Sequence, residues 1–231
     1  MPLAIFDLDN TLIAGDSDHA WGEFLVSRGV VDVARYRSAN DAFYAAYQAG
    51  RLDIYAYQRF VLEPIVAMGM ERAQSLRAEF VEACIRPLVL PAALDLVARH
   101  RAAGDTLLIV TATNRFIAEP IAELFAVDHL LATDPEEADG GYTGEIAGEP
   151  CYQGGKVVRL RAWSEAQRMS LDGASFYSDS HNDLPLLGLV DRPVAVDPDE
   201  RLRQHADGAG WPICSLRGGD AASFSSPAAS V

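Results

Sequence analysis

Three short, unbroken apolar runs, each stopped by a polar group, constrain this chain more than any other feature. Leu3-Ala4-Ile5-Phe6 ends at Asp7, Leu107-Leu108-Ile109-Val110 ends at Thr111, and Ala174-Ser175-Phe176-Tyr177 ends just before Asp179. A strand that is apolar on both faces belongs in a parallel sheet covered on both sides, because only there is neither face wet. Parallel neighbours need helical crossovers, so the class is α/β. In open sheets of this class ligands bind outside the carboxyl ends of the strands, where Asp7, Thr111 and Asp179 fall. Two further strands are expected at 193–196, after the Asp191-Arg192 turn, and at 128–132.

Between Asp16 and about Pro87 the strand signal vanishes. Residues 20–27, 33–47, 54–68 and 71–85 place apolar and aromatic side chains three and four apart, which predicts four amphipathic helices punctuated by Gly29, Gly50 and Gly69. A helical block inserted directly behind the first strand predicts a helical cap, 16–87, on an α/β core built from 1–15 and 88–216. Tyr44, Tyr47, Tyr55 and Tyr57 read as packing between cap and core. The glycine-rich stretch 139–144 predicts a hairpin. Residues 217–231, rich in Ser, Ala and Gly, are expected to fray as a flexible tail.

Charge narrows the partners. Nineteen Lys and Arg against 33 Asp and Glu leave a formal charge of −14, with no basic block. Neutralising a phosphate backbone needs clustered positive charge, so no nucleic-acid partner is expected. Cys84, Cys151 and Cys214 are scattered without a C-x-x-C pair, the pattern of reduced thiols in a cytoplasmic compartment. The chain enters its first apolar run without a basic leader and has no window of 18 apolar residues. Neither a signal peptide nor stable membrane insertion is expected.

The candidate chemistry lies at the strand ends. Asp7-Leu8-Asp9-Asn10-Thr11 can turn two carboxylates into one crevice. Thr111, with the backbone N–H of Ala112, can grip an anion. Lys156 follows Gly154-Gly155 at the start of a helix, and Asp179 and Asp183 stand four residues apart behind the third strand. Each group has a structural alternative: a solvated loop, a helix cap, a surface charge or turn chemistry. Four such groups in this order, all at strand ends, make that joint explanation poor.

With these residues the chain resembles the haloacid dehalogenase superfamily, whose four motifs match as Asp7-x-Asp9-x-Thr11, Thr111, Lys156 and Asp179-x-x-x-Asp183. The resemblance spans Leu3 to about His205 and is greatest to the phosphoserine phosphatase-like branch (subfamily IB). It implies a doubly wound, Rossmann-like parallel-sheet core with a helical C1-type cap, and a Mg²⁺-dependent phosphomonoesterase. Asp7 would be nucleophile and metal ligand, and Asp9 general acid and base, with its backbone carbonyl also on the metal. Thr111 and Lys156 would hold the phosphoryl oxygens, with Thr11, Ala112 and Asn182 counted among the phosphate- and substrate-binding residues. Asp179 would complete the metal ligands and Asp183 would orient a metal-bound water. The residue types suit that chemistry: a carboxylate can attack phosphorus only where a divalent cation and a lysine neutralise the surrounding charge, and an all-oxygen donor set favours Mg²⁺ over zinc. His181, among hard donors, is expected to be structural or to support the metal site from behind its ligands rather than to bind the ion. Ser178 departs from the glycine that many members carry there.

The substrate is expected to be a small phosphorylated metabolite. Asp16 stands where phosphoserine phosphatases place an acid against the substrate amine, but the position of their carboxylate-binding arginine falls on Val61, with Arg59 on another face of the helix. That combination suggests a cationic amino-alcohol phosphate such as histidinol phosphate. Asp16-Ser17-Asp18 reads equally as a helix N-cap. Trp21, Phe24 and Leu25 read as core or as an apolar entrance for a lipid phosphate. The rival functions are phosphoserine hydrolysis, phosphotransfer to another alcohol, and a phosphorylation-dependent signalling module.

Overall fold

The computed structural model describes residues 2–218 and the backbone of 223–225. Its strands are β1 (Leu3–Phe6), β2 (Thr106–Asn114), β3 (His129–Thr133), β4 (Pro135–Ala138), β5 (Gly141–Ile146), β6 (Ser175–Ser178), β7 (Arg192–Val196), β8 (Ile213–Ser215) and β9 (Ser223–Ser225). Seven form one sheet in the order β3-β2-β1-β6-β7-β8-β9, and every neighbouring pair is parallel except β8 with β9. The chain therefore winds outward from β1 in one direction through β2 and β3, and in the other through β6, β7 and β8. The crevice at the carboxyl end of β1 is the point where the winding reverses.

The pleat sorts β1 between two cores. Ala4 and Phe6 pack with Leu107 and Ile109 beneath α5 (Pro91–Ala102) and α6 (Arg115–Leu124). Leu3 and Ile5 pack with Leu108, Val110 and Phe176 beneath α7 (Gly154–Gln167), α8 (Leu184–Leu187) and α9 (Glu200–Ala209). That double burial is why the strand reads as a continuous apolar run.

The helical block consists of α1 (Ser17–Ser27), α2 (Val33–Gln48), α3 (Ile54–Met68) and α4 (Met70–Phe80). Aspartates start the first three: Asp16 accepts from His19 N at 2.8 Å, Asp32 from Arg35 N at 2.8 Å, and Asp53 from Tyr55 and Ala56 N at 3.1 Å. The single helix expected over 71–85 loses α geometry after Phe80 and continues as a π turn, Val81–Ile85, and a 3₁₀ turn, Arg86–Leu88. The chain leaves and re-enters the sheet layer at one place: Ala14 N donates to Leu88 O (2.7 Å) and Leu90 N to Leu12 O (3.3 Å).

Two expectations are corrected. The second strand does not stop at Thr111 but runs to Asn114, with its register against β3 shifting after Val110. Side-chain bonds hold that irregular stretch, Thr113 N to Thr111 Oγ1 (3.2 Å) and Thr133 Oγ1 to Ala112 O (2.8 Å), and such a bulge re-aims side chains at a sheet edge. Trp21, Phe24 and Leu25 line no entrance. They are buried, with Trp21 against Phe80 and Phe116 at ring distances of 5.2 and 6.1 Å. The hairpin forms as β4 and β5, turning through Asp139 and Gly140, both at positive φ. The expected tail falls mostly outside the described residues.

Candidate active site

The crevice collects six carboxylates, Asp7, Asp9, Asp16, Asp18, Asp179 and Asp183, and one lysine. Asp7, directly behind β1, is tied to β6 by its N–H to Tyr177 O (2.9 Å). Lys156, in the first turn of α7 and buried, donates to Asp7 Oδ1 at 2.7 Å and to Asp183 at 2.8 Å. Thr11 Oγ1 lies 3.0 Å from Asp179 Oδ1 and 3.4 Å from Asp7 Oδ2, and accepts from Asp179 N at 3.1 Å. Asp9 accepts from Ser17 N and from Thr113 Oγ1, each at 2.6 Å. Asp16 caps α1, as one of its two readings from sequence has it, and lines the same cavity as Asp7 and Asp9.

Burial sets the proton affinities. Asp7 is pushed up to about 7, chiefly by desolvation, against the pull of Lys156 and with the Asp183 and Asp9 charges adding to the rise. Asp9 is raised to about 6 by desolvation and the Asp16 charge, opposed by its bonds from Ser17 and Thr113. Asp179 is raised well above the carboxylate range by burial, then by Asp7 and Asp183. Burial works against the Lys156 charge, but Asp183 and Asp7 outweigh it and hold the ammonium above its ordinary range.

These groups suit a hard cation. Asp7 Oδ2 and Asp179 Oδ1 meet at one hydroxyl, and the Asp7 charge contributes to the rise of Asp179. Among the described residues no three His, Cys, Asp or Glu side chains are arranged to hold an ion unaided. An ion here would take two carboxylates, backbone oxygen and water, which is how Mg²⁺ prefers to bind.

Other candidates fall as follows. Thr111 and Ala112 line the cavity. Asn182 is bonded at both ends of its amide: Oδ1 accepts from Gln153 Nε2 (2.9 Å) and Tyr152 Oη (3.2 Å), while Nδ2 donates to Tyr47 O (3.1 Å), tying the loop after β6 to the cap. Asp183 takes Lys156 and the Ser178 hydroxyl (2.7 Å), so Ser178 performs a task that glycine could not. His181 is tied to Asp199, its Nδ1 at 2.7 Å and its backbone N–H donating to the same carboxylate at 2.8 Å. Arg59 pairs with Glu145 at 2.8 Å on the surface, and Val61 is buried in the core.

Sequence reasoning missed the wall opposite. The cavity is lined by Asp7, Asp9, Asp16, Asp18, Thr111–Thr113 and, from the cap, Phe43, Tyr44, Tyr47, Leu52, Ile54 and Tyr57. Three of the four tyrosines expected to pack between cap and core thus face it, and Tyr55 is exposed. The i, i+3 spacing of Tyr44 with Tyr47 and of Ile54 with Tyr57 was the available signal. Free space under the cap is about 30 Å³, room for about one or two waters.

The family profile of haloacid dehalogenase-like hydrolases matches residues 4–188. A histidinol-phosphatase from Neisseria meningitidis is 43% identical over 219 residues, 93% of this chain and 99% of that protein. A crystal structure of a protein of unknown function from Bordetella pertussis superposes with TM-score 0.88 at 42% identity, over 93% of this chain and 98% of the other. A phospho-aspartyl intermediate analogue of phosphoserine phosphatase gives TM-score 0.68 at 17% identity over 93% of each chain, a likeness of fold.

Proposed function

The chain belongs to the haloacid dehalogenase-like hydrolases and is a phosphatase of a small phosphorylated metabolite; we propose that this metabolite is a cationic amino-alcohol phosphate, histidinol phosphate. One observation carries the substrate class. The cavity over Asp7 is lined by four aspartates and three tyrosines, with no Arg or Lys in its lining among the described residues. A substrate with a carboxylate beside its ester would meet only like charge there, whereas an ammonium is attracted. The Neisseria relative acts in name on histidinol phosphate, which agrees.

The residues divide the work. Asp7 attacks phosphorus and becomes the acyl phosphate, while the ester oxygen leaves with a proton from Asp9. Asp9, raised to about 6, is then the base that takes a proton from the water that cleaves the aspartyl-phosphate. Lys156 offsets the charge of Asp7 and of the phosphoryl oxygens, and Thr111 with the Ala112 N–H holds those oxygens. Asp7, Asp179 and the Asp9 carbonyl would hold Mg²⁺, on which the family generally depends; when bound it neutralises charge developing on the phosphoryl group. Asp183 and Ser178 fix Lys156. The cap, 16–87, opens from the core, 1–15 and 88–216, because the space beneath it is too small for a phosphomonoester. No helix among the described residues is long and apolar enough to cross a membrane, and the three unpaired cysteines agree with a cytoplasmic enzyme.

The test is phosphate release from histidinol phosphate, phosphoserine, phosphoethanolamine and a sugar phosphate, with Mg²⁺ and with chelator. Metal-dependent release that favours histidinol phosphate supports the assignment. Preference for phosphoserine refutes the substrate class.

A further inference from the structure

Four aspartates line the cavity, and three have a clear partner. Asp7 has Lys156, Asp9 has Ser17 N and Thr113, and Asp16 has His19 N. Asp18 is different. It is 5% exposed, and its hydrogen bond is a long one, 3.4 Å from Asn114 Nδ2. That asparagine is itself fixed, because its Oδ1 caps α6 through Ile117 N at 3.2 Å. Asp18 is therefore aimed from the α6 side of the cavity by a group that cannot neutralise it. Burial, then the charges of Asp16 and Asp9, raise its proton affinity well above the carboxylate range. A buried carboxylate without a cation is costly, and such a group facing a substrate cavity is satisfied by what enters.

The surroundings of Asp18 are aromatic. Phe43 and Tyr57 pair at 5.3 Å on the cap wall of the cavity that Asp18 lines. Asp16 caps α1 beside Ser17, whose N–H holds Asp9, and Asp18 is held at Asn114, one residue past the Thr113 that also holds Asp9. That arrangement assigns Asp16 to the reacting end and Asp18 to the aromatic end. Planar cationic rings favour aromatic walls, and their N–H groups favour a carboxylate.

Resting on the substrate reading above, we propose that Asp18, with Tyr57 and Phe43, is the specificity-determining subsite for the imidazole ring of the substrate, while Asp16 takes the ammonium beside the ester. The substrate is then read at three points: phosphate by Lys156 and Thr111, ammonium by Asp16, ring N–H by Asp18. Phosphoethanolamine carries the first two groups and lacks the third, which makes it the matched probe.

The experiment measures kcat and KM for histidinol phosphate and phosphoethanolamine with wild type, Asp18→Asn and Tyr57→Leu. Losing a charge-assisted bond in a buried site lowers the selectivity ratio for Asp18→Asn on the order of 10- to 100-fold, carried by KM. Tyr57→Leu lowers it about 3- to 10-fold. Asp18→Asn should melt at or above the wild-type Tm, since the isosteric amide is neutral at every pH and needs no proton to lie buried beside Asp16 and Asp9. A ratio unchanged in both variants, or an equal fall for both substrates, overturns the subsite. If wild type shows no preference for histidinol phosphate, the substrate reading falls and the subsite with it. If the preference exists and survives Asp18→Asn, the subsite alone falls.

Discussion

Gly154 and Gly155 precede Lys156, and they are not equivalent. A Cβ on Gly155 would stand 2.0 Å from the backbone oxygen of Pro150 and 3.3 Å from Glu149 Oε1, whereas a Cβ on Gly154 meets nothing within 4 Å. Neither has the positive φ that would itself demand glycine. Gly155→Ala must therefore push the start of α7 away by about 1 Å, since the obstacle is backbone and cannot rotate aside. The next residue is Lys156, whose Nζ lies 2.7 Å from Asp7. A retreat of that size stretches the contact past hydrogen-bond range, and misplacement by about 1 Å can cost on the order of 100-fold in rate. Overpacking adds about 1–3 kcal/mol of destabilisation, or about 2–12 °C in Tm for a chain of this length. Phosphate release at saturating substrate and a thermal melt read both effects, with Gly154→Ala as the control expected to match wild type. Gly155→Ala with wild-type kcat and Tm would refute the close approach and the role of this turn in placing the lysine.

Asp7→Asn removes the nucleophile and should lower kcat by on the order of 10⁴-fold or more, read with a purified variant of unchanged circular dichroism. Asp9→Asn should lower kcat by about 10²- to 10⁴-fold while Mg²⁺ still binds, because its proposed metal contact is the backbone carbonyl; loss of Mg²⁺ binding by calorimetry would contradict that division. Arg59→Ala should leave KM for the preferred substrate within about twofold, as expected of an exposed ion pair; a large rise would return Arg59 to the substrate. Asp7 at about 7 and Asp9 at about 6 both lie above the ordinary 3.8, so the folded state binds their protons more tightly than the unfolded chain does. In chelator, stability should therefore rise as pH falls from 8 toward 5, and Mg²⁺ should stabilise most at the alkaline end. A melt series with the opposite trend, or one unchanged in Asp7→Asn, would contradict the assignment.

The halves of this site differ in how far the sequence discloses them. Asp7 and Asp179 are legible because strand termini fix them: β1 and β6 pair at Phe6 and Tyr177, and whatever follows those residues must emerge at one edge, while Lys156 is legible from its place behind Gly154-Gly155 at the start of α7. Thr113 is not legible, because Thr111-Ala112-Thr113-Asn114 reads as the end of a strand when it is a bulge that aims Thr113 at Asp9. The cap wall is less legible still. A tyrosine at helical spacing satisfies a core and a cavity equally, and the choice rests on how α2 and α3 settle over the sheet. Trp21 on α1 and Tyr57 on α3 show both outcomes, one packed against Phe80 and the other facing Asp18's cavity. Asp16 shows that cap and ligand are not competing roles, since a carboxylate bonded to its own helix through one oxygen can still face the cavity. Chemistry carried by strand ends is therefore readable from one chain, while specificity carried by helix faces becomes readable only once the two layers have met.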